Sequence, residues 1–414
     1  VFIVLDYGST DDLIPYLKAY HARDIASGRL VVYQHPAKKW HISHAKNMAA
    51  RCGLREGADV LVTLDADNFT GPGFSDFLRQ SFAEPGVRPG IFLCPDYAYI
   101  KSLPHGPGRP QRGYAGRLAV WASTFVKMGG YDEAFSEWGR EDICMNFRLQ
   151  RAGYTMRHIP NHYLNAIPHG ADVRFKEYPQ AQANETFKVV EELKSRTETV
   201  VNFGRWGCGT VTRNFDPTPI SLDPLPTRIF GIGFQKTATT SLAKALAILG
   251  YDSFHWGEGE APLIWYEMQG LGRSKTLEQW YALCDNPIPA VYRELDQAYP
   301  GSKFILTVRD ECDWLRSCRD LWDYAKNPTR RLWDIYPFSH VIHTALYGQR
   351  EFDPLVMLAR YRRHNAEVIE YFKGREDLLV LRQPAWGPLC GFLGLAVPQI
   401  AYPVLNRVRE DPCT

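Results

Sequence analysis

Three short stretches of this chain bring together side chains that can do chemistry on phosphate esters. The first runs Gly231-Ile232-Gly233-Phe234-Gln235-Lys236-Thr237-Ala238-Thr239-Thr240-Ser241-Leu242. A strand-like entry, Arg228-Ile229-Phe230, leads into it, and Leu242, Leu246 and Leu249 fall on one face of a helix beyond it. Strand, glycine-bearing turn and helix can hold phosphate, because backbone N–H groups and the positive helix end converge on the anion. A kinase or ATPase loop would read G-x-x-x-x-G-K-[ST], whereas here no glycine precedes Lys236. The second stretch is Asp65-Ala66-Asp67 after the strand-like VLVTL. Two carboxylates one residue apart at a strand end can face a divalent cation beside a substrate's phosphates; the plainer alternative is a solvated turn. The third is Arg309, which closes the apolar run Phe304-Ile305-Leu306-Thr307-Val308. Its guanidinium offers fixed charge and a fork for phosphate oxygens, against the alternative of a surface ion pair with Asp310.

These residues need a framework, and the hydrophobic pattern supplies one. In the first half, strand patterns at 1–5, 30–33, 59–64 and 90–95 alternate with helical patterns at 12–27, 43–55 and 74–82. In the second half, strands are expected at 228–232, 303–308 and 377–381, with helices at 240–249 and 357–373. The βαβ rhythm predicts the α/β class, with a mainly parallel sheet under helices and chemistry at the strand ends. Between the halves, residues 216–227 read DPTPISLDPLPT. Four prolines there exclude a helix and predict an extended connector. The expected organisation is therefore two domains, 1–215 and 228–414, joined by 216–227.

The first domain adds Asp6-Tyr7-Gly8-Ser9-Thr10-Asp11, His44-Ala45-Lys46-Asn47, Gly129-Gly130-Tyr131-Asp132-Glu133 and Trp138-Gly139-Arg140-Glu141-Asp142 to the Asp65/Asp67 pair. In that order the motifs resemble the inverting nucleotide-sugar glycosyltransferases of the GT-A fold, closest to family 2 and the β-1,4-galactosyltransferase-like group. The resemblance covers about residues 1–215. It implies that Asp6 contacts the base of a uridine-type donor, with Lys46 also on the donor. It implies that Asp65 and Asp67 hold Mn²⁺ or Mg²⁺ against the diphosphate, that Asp142 is the general base and that Glu141 orients the acceptor. His169, in Ile167-Pro168-His169-Gly170, best matches the family's histidine metal ligand; His158 and His162 fit less well. Without the resemblance, Glu141-Asp142 is an acidic pair favoured at a helix N-terminus, and His169 is a structural histidine. The family's domain carries another strand and helix before its D-x-G-S-T-D strand. Here Val1 already opens that strand, so the front domain is expected to lack its first strand.

The second domain's loop resembles the 5′-phosphosulfate loop of sulfotransferases that use 3′-phosphoadenosine-5′-phosphosulfate (PAPS), F-P-K-T-G-T-T-S-L. Phe234 to Leu242 matches it except for Gln235 and Ala238. The resemblance implies that Lys236 reaches the oxygen bridging phosphate and sulfate, where it can stabilise leaving-group charge. Thr237, Ala238, Thr239, Thr240 and Ser241 would hold the 5′-phosphate. Arg309 and Ser317, eight residues apart, match the pair that holds the 3′-phosphate. Alanine at 238 is strained if the family's glycine there takes a positive φ. For the acceptor's base, His255 stands about where the family places one and needs little tuning near neutral pH; Asp285 and Glu258 are its rivals. The basic run Arg360-Tyr361-Arg362-Arg363-His364 is a solvated helix face or an aid to anion binding. This resemblance spans about 228–414, and its closing segment, from Trp386, reads as core and lid.

Composition sets the outer limits. A net charge of +2 over 414 residues gives no global reason to expect nucleic acid. No apolar run is long enough to cross a membrane. Nine scattered cysteines without a C-x-x-C pair read as free thiols, and so as a cytoplasmic protein. The combined expectation is a bifunctional carbohydrate-modifying transferase. One domain moves a sugar from a nucleotide donor and the other moves a sulfuryl group from PAPS to a hydroxyl, with a glycan as acceptor. Two alternatives stand beside it: a sulfotransferase whose front half is an acceptor-binding platform, and a small-molecule kinase.

Overall fold

The apolar runs fold as strands in a computed structural model that describes residues 1–83, 90–96, 116–136, 140–167, 197–202, 205–255, 260–323 and 337–405. The chain divides into two units, Val1–Asp223 and Pro224–Thr414.

In the first unit, β1 (Phe2–Tyr7) lies parallel to β2 (Leu30–His35), with Asp6 level with Gln34. Two further strands, β9 (Thr210–Arg213) and β10 (Asp216–Ser221), extend this sheet antiparallel, in the order β1-β2-β9-β10. A second sheet has the order β3-β6-β5-β7. It contains β3 (Val60–Leu64), β5 (Ile91–Cys94), β6 (Arg117–Trp121) and β7 (Thr155–His158). A short antiparallel pair, β4 (Asn68–Phe69) with β8 (Asn165–Ala166), lies just beyond Asp67. The first unit is thus not built on the mainly parallel sheet that the βαβ rhythm suggested. The central strand β6 runs antiparallel to both β3 and β5. Its fully buried RLAVW carries no period that distinguishes direction.

Residues 216–221, read as connector, instead pair with β9 as the sheet's edge strand. Extended backbone suits both roles, and Pro217 and Pro219 are tolerated because an edge strand needs only one row of hydrogen bonds. The expected helix at 12–27 breaks at His21 into Leu13–Tyr20 and Ala22–Ala26. The helix Ile42–Arg55 forms as expected and buries Met48, Cys52 and Leu54.

The second unit has one sheet with every pairing parallel, in the order β12-β13-β11-β14-β15. Its strands are β11 (Ile229–Gly231), β12 (Ser253–His255), β13 (Ala282–Cys284), β14 (Lys303–Thr307) and β15 (Leu378–Leu381). The helix Thr239–Ile248 buries Leu242, Ala245, Leu246 and Ile248 in the core that Ile229, Ala282 and Ile305 also line. An aromatic core of Phe234, Trp314, Trp322, Tyr347 and Tyr361 lies under the helices Glu311–Trp322, Pro337–Tyr347 and Pro354–Tyr371. Both units are therefore α/β.

Candidate active sites

In the second unit, the Lys236 loop, His255, Asp285 and Arg309 each lie at the C-terminal end of a strand. The loop after β11 packs so closely that side chains are excluded at two points. A Cβ on Gly231 would lie 2.7 Å from Cys284 Sγ, and one on Gly233 would lie 2.1 Å from Thr307 Oγ1. The loop then turns through Lys236 (φ 69°) and Ala238 (φ 73°), both in the left-handed region. Alanine does take the conformation that glycine would adopt freely. The helix Thr239–Ile248 has no side-chain cap, and its first intrahelical bond is Leu242 N–H to Ala238 O. The N–H groups ahead of that bond are those a helix leaves for an outside acceptor. The helices Glu311–Trp322 and Pro354–Tyr371 differ in this respect, being capped by the carboxylates of Asp310 and Asp353.

The loop's hydroxyls divide into two sets. Thr237 and Ser241 are turned inward. Thr237 Oγ1 donates to Phe234 O and meets Thr307 Oγ1, both at 2.6 Å, while Ser241 Oγ accepts from Leu405 N at 2.9 Å. Thr239 and Thr240 instead meet His255 Nε2, at 3.2 and 3.1 Å. The same nitrogen lies 3.1 Å from Asp285 Oδ2. His255 and Asp285, rivals when read from sequence, are therefore partners across adjacent strand ends. Burial pushes the Asp285 carboxyl up, but the His255 contact, the Asn286 N–H and the Lys236 charge outweigh it and hold the carboxyl below its ordinary range. Glu258 lies outside the described residues.

Arg309 joins the same loop, its guanidinium donating to Lys236 O at 3.3 Å. Tyr361 fixes the Arg309 backbone by accepting from its N–H and donating to its carbonyl. Ser317 is buried on the helix Glu311–Trp322, which Trp314 ties to the loop by donating from Nε1 to Gln235 O at 3.0 Å. The basic run 360–364 is split by its helix. Tyr361 and His364 face the core, whereas Arg362 and Arg363 are exposed and pair with Glu311 and Glu367. Burial holds His364 down to about 4, so it stays neutral and donates to Ile232 O at 2.8 Å.

The first unit gathers Asp65, Glu141 and Asp142 around one lysine. Lys46 Nζ lies 2.7 Å from Glu141 Oε1, 3.0 Å from Asp142 Oδ1 and 3.0 Å from Asp65 Oδ1. The helix Ile42–Arg55 supplies the lysine, and the helix Glu141–Arg151 supplies Glu141 and Asp142 in its first turn. Next to Lys46, Asn47 clasps the glycine-bearing turn, donating to Tyr131 O and Glu133 Oε1 and accepting from Tyr131 N. Burial pushes Asp142 well above the ordinary carboxylate range; Lys46 opposes this, and Glu141 and Asp65 add to it. Burial raises Asp65 as well. Gly116 makes room for that carboxylate, since a Cβ there would lie 1.6 Å from Asp65 Oδ2.

Asp6 is buried at the end of β1, where it accepts from Ser9 N at 2.8 Å and Gln34 Nε2 at 3.3 Å. Ile167 N–H donates to Asp67 O at 2.7 Å, but His169 lies outside the described residues, as do Trp138 and Gly139. His158 and His162 are exposed. Among the described residues, no three His, Cys, Asp or Glu side chains form a metal-binding group. Reading the sequence missed Gly116 and the Lys46 bridge between Asp65 and the Glu141-Asp142 pair, for partners some twenty and ninety-five residues away leave no local signal.

A parallel sheet whose first strand feeds an uncapped helix through a lysine-bearing loop is a framework that can hold a phosphate group. Residues 228–410 match the sulfotransferase domain family, and residues 101–170 match the N-terminal domain of galactosyltransferase. The chain thus carries a sulfotransferase domain behind a galactosyltransferase-like one. It is also 24% identical over 208 residues to "Ava biosynthesis cluster protein M" of Aspergillus versicolor, an alignment that takes in 42% of this chain and 79% of that protein. No described helix is long and apolar enough to cross a membrane, and the eight described cysteines are free.

Proposed function

We propose that the second unit transfers a sulfuryl group from PAPS to an acceptor hydroxyl. The observation that carries this reading is the juxtaposition of Lys236, Arg309, an uncapped helix N-terminus and the His255–Asp285 pair at the C-terminal ends of one sheet's strands. The acceptor oxygen attacks sulfur while the bond from sulfur to the phosphate oxygen breaks. Lys236 neutralises the charge that develops on that oxygen. Asp285 and the loop threonines engage Nε2 of His255, so Nδ1 takes the acceptor's proton and Asp285 stabilises the resulting imidazolium. Arg309 and Ser317 hold the 3′-phosphate. The test is calorimetry with 3′-phosphoadenosine-5′-phosphate in EDTA. Binding is expected without metal and without competition from ATP; no binding, or displacement by ATP, would return the unit to the kinase reading.

A second activity is favoured by the carboxylate cluster of the first unit, which suits sugar transfer from a uridine-type nucleotide sugar, with Asp142 as base, Glu141 orienting the acceptor and Asp6 and Lys46 on the donor. Asp65, Glu141 and Asp142 meet at Lys46, with Asp67 two residues beyond Asp65. Carboxylate oxygens of this kind are the hard donors that a divalent cation takes. Asp65 and Asp67, with His169, would hold Mn²⁺ or Mg²⁺, which would neutralise the donor's diphosphate. A sugar transferase and a sulfotransferase in one chain point to a glycan as the shared acceptor. Mn²⁺ should bind weakly alone and more tightly with uridine diphosphate. Unchanged nucleotide-dependent Mn²⁺ binding in Asp67→Ala would show that the cation sits elsewhere.

A further inference from the structure

The donor chemistry gives no role to Gln235. Gln235 stands where the similar loops carry proline, and its side chain is buried. Its Oε1 accepts from Asn286 Nδ2 at 3.4 Å, and Asn286 is also buried. Each amide is the chain neighbour of a residue in the proposed machinery, since Gln235 precedes Lys236 and Asn286 follows Asp285. Lys236 and Asp285 both have positive φ, 69° and 75°. Such strain persists only where the surroundings over-determine it. Here Trp314 holds the Gln235 carbonyl, and the Asn286 N–H donates to Asp285 Oδ1 at 2.8 Å. The Tyr347 phenol, wholly buried, lies against the Gln235 amide and within the field of Asp285.

Stability alone gives no reason for this arrangement. Gln235 Nε2, Asn286 Oδ1 and Tyr347 Oη are buried without a well-formed hydrogen bond, which costs folding free energy. We propose that Gln235 and Asn286 are positioning residues. Their amide contact sets the separation between Lys236 and the Asp285–His255 pair. The charge partner of the leaving group and the acceptor of the proton, which come from different strands, are thereby held to one geometry. This inference rests on the sulfuryl-transfer reading of the site.

The test compares Asn286→Ala, Gln235→Met and the double variant with the parent chain, with thermal melts to confirm folding. The methionine keeps the volume of the buried side chain while removing the amide. A displacement of about 1 Å can cost about 100-fold in rate, so kcat should fall by up to that factor. Affinity for 3′-phosphoadenosine-5′-phosphate should be unchanged, because the proposed donor contacts come from Lys236, the helix end, Arg309 and Ser317. The double variant should be no slower than the worse single one, as expected for two halves of one contact. Parental kcat in both folded single variants would overturn the proposal, and so would additive losses accompanied by weakened nucleotide binding. If the parent chain itself bound no 3′-phosphoadenosine-5′-phosphate, the reading of the unit would fall before the role of the amides came into question.

Discussion

Ala238 shows what a single methyl group does in a tight loop. Its φ of 73° and ψ of 29° lie in the left-handed region, where an L side chain crowds the following carbonyl at a cost of about 1–2 kcal/mol. Glycine would remove that crowding but would bring more freedom in the unfolded chain. The net expectation for Ala238→Gly is a gain of about 1 kcal/mol, seen as a rise of roughly 2–4 °C in the melting of a unit this size. A lower melting temperature would mean that the methyl makes contacts that outweigh its strain. The substitution also separates two meanings of the loop's departure from its relatives. At 238 alanine takes a left-handed conformation that glycine would adopt freely, whereas at 235 the side chain makes a contact of its own, with Asn286.

At the scale of elements, helix ends sort the fold by purpose. Asp310 caps the helix Glu311–Trp322, accepting from Cys312 N at 2.9 Å and Asp313 N at 3.1 Å, and it follows Arg309 directly. Asp310→Ala should cost about 1 kcal/mol of stability. It should also loosen Ser317 and weaken 3′-phosphoadenosine-5′-phosphate binding about fivefold, a factor corresponding to roughly 1 kcal/mol. A shifted urea midpoint with unchanged affinity would show that the cap serves stability alone. The sequence made Lys236, Arg309 and Ser317 legible because loop, strand and helix follow one another at fixed spacing. It made His255 and Asp285 visible only as separate strand-end candidates. Their pairing depends on β12 lying beside β13, an adjacency that neither segment encodes. The antiparallel β6 and the strand role of residues 216–221 were hidden for a related reason, because extended backbone looks the same whether it pairs or connects.

At the scale of the molecule, the chain holds two candidate chemistries in two units, and substitutions should separate them. Lys236→Ala should reduce sulfuryl transfer by on the order of 2.7–4 kcal/mol in activation free energy, roughly a hundred- to thousandfold, and leave sugar transfer intact. Asp142→Asn should do the reverse. Both activities would be followed on both variants with separately labelled donors. If a folded Lys236→Ala chain also lost sugar transfer, the two activities would have to share one site. The sheet that ends at β10 has a consequence for a chain with this much exposed strand. An open sheet edge is a template on which another molecule can add its own strand, the first step towards fibrous aggregation. Pro217 and Pro219 deny that template two N–H donors, so the β10 edge is blunted against polymerisation.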